Sequence, residues 1–422
     1  MQENKYALSF TPILICSLAA LFYVYDYFIQ VSPAVMTHEL MHRFHIGAAG
    51  LGILGSIFFY AYASMQIPAG MLLDKFNTRY LLSVAVFISG IGVLIFGMTN
   101  SFAVAGLSRF LVGFGSAFSF IGAIYLVSIW FPHRYFAFVA GLIQFAGCVG
   151  SIFGEVPLAH AVNHFGWRHT LFVIAIATFI LSVLFWWIIR DKPQKITFSE
   201  KDKNINLSSW SIFKIPEVWI IACIGFLCWI PVASIGALWG VPYLMKVFHW
   251  TNTKAAGYCS LFWLSLGFAS PVIGYLSEQF KTRKKPFYIC FFAGIVGSLL
   301  LIFSVKLPLY MTIVALLLLG LAPAIQALTF GVAKDILPPS VFGTAAGFIN
   351  MLPIIGGGLS QVMIGFILAA LWNHKMHLGV PIYSLHDYQV AMLIMPLCLC
   401  LGLFLSYFYL PETHDSHTSD VY

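Results

Sequence analysis

Along this chain of 422 residues, apolar stretches long enough to cross a bilayer alternate with short polar breaks. Read as helices, they fall at 11–35, 48–72, 79–98, 101–130, 135–161 and 168–190. After a polar stretch come 215–245, 254–277, 286–305, 308–333, 341–371 and 386–410. The pattern predicts an all-α membrane protein with twelve transmembrane helices. The breaks themselves repeat. GMLLDKFNTR at 70–79 is matched by GYLSEQFKTR at 274–283, 204 positions later. Gly113-Phe114-Gly115 matches Gly320-Leu321-Ala322 at an offset of 207, and the stretch Gly141 to Gln144 matches Gly347 to Asn350 at 206. Helices 1–6 and 7–12 are thus expected to form two pseudo-symmetric six-helix halves. The expected boundaries are 1–190 for the first half, 191–213 for a cytoplasmic linker, and 214–422 for the second half with a short cytoplasmic tail.

Composition supports lipid as the main solvent: 60% of residues are hydrophobic and 9% charged, with a mean hydropathy of +0.90. The net charge of +7 reads as topology rather than as a nucleic-acid surface. With both termini cytoplasmic, fifteen of the 22 Lys and Arg fall inside, six fall outside, and Arg109 lies within a helix. Helix 1 lacks the small-residue cleavage site of a signal peptide, and its Asp26 and Gln30 suit a retained working helix. The eight cysteines all fall in predicted helices without a CxxC pair, so neither disulfides nor a metal cluster is expected. His38, His42 and His45 have ligand-like spacing but sit at an outer loop, and no metal site is assigned to them.

The loop at 70–79 resembles the loop 2–3 signature of the major facilitator superfamily, G-x-x-x-D-[RK]-x-G-[RK]-[RK]. Gly70, Asp74, Lys75 and Arg79 match it, with Asn77 where a second Gly is usual. The second copy keeps Gly274, an acid at Glu278, and Arg283. Arg109 to Gly115 is similar to the family's R-x-x-x-G-x-G motif in helix 4, and Leu410-Pro411-Glu412-Thr413 to a common ending. The resemblance implies an alternating-access transporter whose helix 2 loop latches onto helix 11 to close the cytoplasmic side.

Ionisable and amide side chains at membrane depth mark candidate pathways. Tyr23, Asp26 and Gln30 share one face of helix 1. By helix rise, Asp26 lies about 14 Å and Arg109 about 12 Å from the outer ends of their helices, so an ion pair between them is expected. Gln144 and Glu155 in helix 5 stand eleven residues apart, close to three turns. Asn350 and Gln361 occupy the equivalent positions of helix 11, so four polar groups are expected to face a shared substrate site at two levels. Gln326 in helix 10, equivalent to Ser119, is a further substrate-binding candidate. So is Trp229, which with Trp239 flanks Pro231 in a helix 7 expected to be broken. Asp26 and Glu155 are the proton-coupling candidates, since symport needs a carboxylate whose proton affinity differs between two conformations.

Two turns resemble the organic-anion and sugar-phosphate branch of the superfamily, anion:cation symporter-like: Ser128 to Pro132 followed by Arg134, and Phe165 to Arg168. In that branch helix 1 carries Y-x-D-R; here Asp26 matches the Asp, but Tyr27 replaces the Arg. Helix 4 pairs its Arg with a Glu seven residues on; here Arg109 is kept and Ser116 takes the second place. The anion clamp is halved. Helix 5 has Gly154-Glu155 rather than the Gly-Pro signature of drug exporters, which favours uptake. The resulting expectation is a secondary active transporter, not an enzyme, that moves a small polar solute with protons and needs no cofactor. It would work as a monomer in a bacterial inner membrane. A proton-independent facilitator, an exporter and a transporter-like solute sensor are the alternatives.

Overall fold

The computed structural model describes residues 10–131, 136–190, 209–303 and 308–413. The first half comprises α1 (Thr11–Val35), α2 (Ala48–Ser64 continued by Gln66–Lys75), α3 (Thr78–Met98), α4 (Phe102–Trp130), α5 (Val139–Phe165) and α6 (Trp167–Ile188). The second comprises α7 (Pro216–Phe248), α8 (Asn252–Gln279), α9 (Lys284–Ile302), α10 (Leu309–Ile336), α11 (Val341–Leu371) and α12 (Leu385–Phe408). The expected α2 is interrupted at Met65, a single turn residue with φ −94° and ψ −4° between its two helical segments. The expected linker falls largely on 191–208, outside the described residues, as do Pro132, Arg134 and the tail from 414. The linker's last residues enter a 3-10 helix, Ser209–Lys214, with Phe213 edge-to-face against Phe348 of α11 at 5.0 Å.

Twelve crossings put the start of α1 and the end of α12 on one face, here called the terminal face; the opposite one is the distal face. The repeat seen in the sequence is also a repeat of contacts. A Cβ at Gly150 of α5 would lie 2.2 Å from the Val24 carbonyl oxygen of α1, and one at the equivalent Gly356 of α11 would lie 2.8 Å from that of Phe226 in α7. Likewise Gly113 of α4 abuts the Phe58 carbonyl of α2, and Gly320 of α10 abuts the Phe262 carbonyl of α8. Only a residue without a side chain lets backbones approach so closely, which is the usual packing device between helices in lipid.

Three spans are irregular inside the bundle. In α7, the stretch Val232–Trp239 after Pro231 is a π-helix, as the expected break in helix 7 requires. Helices α4 and α10 break near their middles at equivalent places, at Ala117 and at the 3-10 turn Ala322–Ile325.

The halves meet at the distal end and part at the terminal end. A Cβ at Gly52 of α2 would lie 2.5 Å from the Gln361 carbonyl oxygen of α11, and one at Gly365 would lie 2.5 Å from that of Ala48. On the other edge, Asn163 donates to Thr253 Oγ1 at 3.1 Å, and Asn252 donates to the Val35 carbonyl at 2.6 Å. The loop before α12 forms a small hairpin, β1 (Met376–His377) against β2 (Val380–Pro381), and carries Tyr383 onto the first half. There the Tyr383 hydroxyl accepts from the Ala48 N–H at 2.8 Å. By contrast, a Cβ at Gly70, Gly141, Gly274 or Gly343, all near the terminal face, would meet nothing within 4 Å.

Candidate functional site

Between the halves lies a cavity of about 670 Å³ that reaches down to Gly141, Gly274 and Tyr275 near the terminal face. Helix α1 supplies Tyr23, Asp26, Tyr27 and Gln30 to its wall, the face its spacing predicts. Gln144 of α5 is held by both tyrosines: the Tyr23 hydroxyl donates to its Oε1 at 3.0 Å, and its Nε2 donates to the Tyr27 hydroxyl at 3.2 Å. From the second half come Trp229, Gln326 and Asn350. Asn350 Nδ2 donates to Gln66 Oε1 of α2 at 2.6 Å, a hydrogen bond between halves.

Asp26 does not pair with Arg109. Its Oδ2 accepts from Ser119 Oγ at 2.7 Å, while Oδ1 makes no hydrogen bond, although the Ser116 and Tyr62 hydroxyls stand near the carboxylate. Arg109 Nη1 donates to the Ile29 carbonyl at 3.3 Å, and its guanidinium carbon lies 4.9 Å from the Phe58 ring centre. The expectation failed on side-chain direction. Cα–Cβ bonds tilt toward each helix's own N-terminus. Helix α1 starts at the terminal face and α4 at the distal face, so two side chains at equal depth lean apart. Arg109 thus sits behind Phe58, outside the cavity lining.

The four-residue constellation at two levels is half right. Its lower pair, Gln144 and Asn350, lines the cavity. The upper pair is packed into helix interfaces above it. Glu155, fully buried, accepts from Ser260 Oγ at 2.7 Å and from Trp263 Nε1 at 3.2 Å, both on α8 of the other half. Gln361 donates through Nε2 to the Ala233 carbonyl at 2.9 Å, and its own carbonyl accepts from Trp239 Nε1 at 3.2 Å. Glu155 therefore ties the halves together at the distal contact, whereas the Gln361 side chain bonds α7 of its own half and meets α2 through its backbone carbonyl at Gly52. The sequence did not single out Gln66, Ser260 or Trp263: a lone Ser or Trp inside an apolar helix stands out little, whereas Gln66, an amide inside one, carried a readable signal.

At the terminal face the second-half charges gather within their own half. Arg283 donates to Glu278 at 2.6 Å and to Asp335 at 2.9 Å, its backbone N–H reaches Glu412 at 2.6 Å, and Thr413 donates to Asp335 at 2.9 Å. Burial lowers the proton affinity of this guanidinium, but the bonds to Asp335 and Glu278 outweigh it and lift the net value above that of an ordinary arginine. In the first half Arg79 lies 5.1 Å from the Trp186 ring centre of α6, and Lys75 is exposed. Asp74 lies in the last turn of α2, and its side chain is outside what the structure describes. A Cβ at Gly70 or Gly274 would meet nothing within 4 Å, and the expected latch through the Asp74 carboxylate falls outside the described side chains. Among the described residues no three His, Cys, Asp or Glu side chains converge as metal ligands.

The family model described as Major Facilitator Superfamily matches residues 16–360 and, in a second placement, 221–421. The chain belongs to the major facilitator superfamily. Within it, the chain is 24% identical over 391 residues to the probable sulfoacetate transporter SauU of Cupriavidus necator, covering 86% of this chain and 89% of SauU. It is 27% identical over 190 residues to the uncharacterized transporter YybO of Bacillus subtilis, a match that spans 45% of this chain and 44% of YybO. In fold it resembles the crystal structure of a bacterial homolog of the human lysosomal transporter Spinster, inward-facing and unoccupied. That likeness has a TM-score of 0.74 at 17% identity and covers 95% of this chain and 98% of the other. As a superfamily member, the protein is an integral membrane transporter of small solutes rather than an enzyme, and it works by alternating access.

Proposed function

We propose that the protein takes up a small polar solute together with a proton across a bacterial inner membrane, as a monomer with both termini in the cytoplasm. The orientation rests on the excess of Lys and Arg at the terminal face. Under it, the open cavity faces the cytoplasm. The domain division at 1–190, 191–213 and 214–422 lets the halves rock about that cavity. A single chain contains the cavity, the distal contact and the terminal-face charges, so a monomer suffices.

One observation carries the coupling: Asp26, 1% exposed and without a cationic partner, lines the cavity between the halves. A carboxylate there connects with whichever side the cavity opens to, so it can take up a proton outside and release it inside. Glu155 is the weaker candidate, because it is sealed in the distal contact while the cavity faces the terminal side.

The test is uptake into proteoliposomes with and without a pH gradient. Asp26→Asn should abolish uphill accumulation while solute exchange persists. If Asp26→Asn leaves uphill uptake intact, Asp26 is not the coupling group; if uptake in the wild type ignores the gradient, the protein is a facilitator.

A further inference from the structure

We propose that the solute is uncharged and binds through its own hydrogen-bond acceptors, one taken by the proton on Asp26 and one by the Gln326 amide. This rests on the proton-coupled reading above and narrows it to a class of solute.

The cavity argues first against an anion. Among the described residues its lining contains no Lys, Arg or His, and Asp26 is the one carboxylate. A carboxylate, sulfonate or phosphate leaving water for such a wall loses its hydration and gains no opposite charge in return. Arg109, the one basic side chain at this depth, is turned to the Ile29 carbonyl behind Phe58. The position where the resembling branch carries its anion-binding Arg holds Tyr27, whose hydroxyl is engaged with Gln144.

Two orphaned polar atoms then define what the solute must offer. Asp26 Oδ1 on α1 and Gln326 Nε2 on α10 are both buried without a partner, although both residues line the same cavity from opposite halves. Buried polar atoms are nearly always paired in native structures, so two orphans in one cavity mark places for a ligand. The Gln326 nitrogen is a donor and wants an acceptor. The Asp26 requirement follows from Ser119. With Oδ2 paired to the Ser119 hydroxyl at 2.7 Å and Oδ1 left without a hydrogen bond, the proton of the loaded state is placed on Oδ1. The proton-loaded site thus presents two donors, one on each half. Once the proton leaves, Oδ1 becomes a second acceptor and repels the solute's acceptor, which ties solute release to proton release. A cationic solute would compete with the proton for the same carboxylate and turn cotransport into exchange. Phe58, Phe59, Tyr62, Phe120 and Phe330 line the remaining space and suit a flat apolar face.

The experiment is a thermal-stability screen of the purified full chain against metabolites sorted by charge. Sugars, polyols, nucleosides and amides form the uncharged arm; glucarate and sulfoacetate are anionic probes, and polyamines are cationic ones. Stabilisation confined to the uncharged arm is expected. Asp26→Asn, whose amide can accept from Ser119 and donate in place of the proton, should keep that stabilisation and lose its pH dependence. Gln326→Leu should weaken it roughly tenfold, about the worth of one buried hydrogen bond. Both variants are first checked for a wild-type melting transition without ligand. Stabilisation by the anions or the polyamines, absence of any uncharged stabiliser, or loss of binding in a folded Asp26→Asn protein would overturn the proposal. Because the screen reads binding without a gradient, it fails or succeeds independently of proton-driven uptake.

Discussion

Removing the Glu155 carboxylate should unfasten the distal contact without touching the cavity. The side chain is fully buried and accepts from Ser260 and Trp263 across the halves. Its two bonds are not of equal consequence. Ser260 Oγ also has the Ala256 carbonyl at 3.0 Å to donate to, so it stays satisfied without Glu155. Trp263 Nε1 has no other acceptor among the bonds described and would be left unpaired. An orphaned buried donor costs about 1–3 kcal/mol, and the cost vanishes once the contact opens and water reaches the indole. Taking the middle of that range, Glu155→Ala shifts the balance between distal-closed and distal-open forms about 30-fold toward open. Glu155→Gln, which keeps an acceptor, should shift it far less. Cys148 can report the change: it is 1% exposed, two turns below Glu155, and packed where a Cβ at Gly267 of α8 would lie 3.1 Å from its own Cβ. In a variant retaining only this cysteine, the rate of alkylation by a membrane-impermeant maleimide added from the distal side measures opening. If Glu155→Ala labels no faster than wild type, or Glu155→Gln labels as fast as Glu155→Ala, the hydrogen bonds to α8 do not hold the contact.

Other expectations follow from the same contacts. Asn163→Cys with Thr253→Cys should form a disulfide under oxidation and stop transport until a reductant is added, since the wild-type side chains are 3.1 Å apart; transport that continues in the cross-linked protein would show that this edge need not open. Gly52→Ala places a methyl 2.5 Å from a backbone oxygen of α11 and should raise Cys148 labelling, because backbone cannot step aside as a flexible side chain can. Tyr383→Phe removes the acceptor for the Ala48 N–H at an estimated cost of about 1 kcal/mol, roughly a fivefold gain in labelling. Burial pushes the pKa of that hydroxyl above the ordinary phenol value, so it stays protonated and this gain should not vary across physiological pH. Arg283→Ala should lower the melting temperature by several times more than Glu278→Ala, as measured by tryptophan fluorescence. The Glu278 side chain is 62% exposed and its bond is screened, whereas Asp335 is 23% exposed.

The architecture was legible because both of its signals are long-range and redundant. Twelve apolar runs count themselves, and a duplication offset by 204 to 207 residues recurs in loops, glycines and amides alike. Several polar residues singled out in the sequence line the cavity, but their partners were not readable there. Depth along a helix is readable from sequence; direction across it requires knowing which way each helix runs and where its Cβ atoms lean, which is why Asp26 met Ser119 rather than Arg109. The repeat likewise identified Glu155 and Gln361 as equivalent but did not reveal that the cavity ends below them. That limit is set by how closely glycines such as Gly52 and Gly365 let α2 and α11 approach, a property of the assembled halves rather than of either segment.

The two edges of the distal contact are built from different materials. Along α2 and α11, carbonyl oxygens rest against glycines, so the surfaces that touch are backbone and change little whatever the solvent. Along α5 and α8, the fastening is a carboxylate, an indole and a pair of small polar side chains, each of which water can replace. A lid made this way has a hinge and a clasp. It would swing from the α5–α8 edge first, admitting solute through an asymmetric slot instead of an iris, and probes placed on the two edges would report the opening at different times.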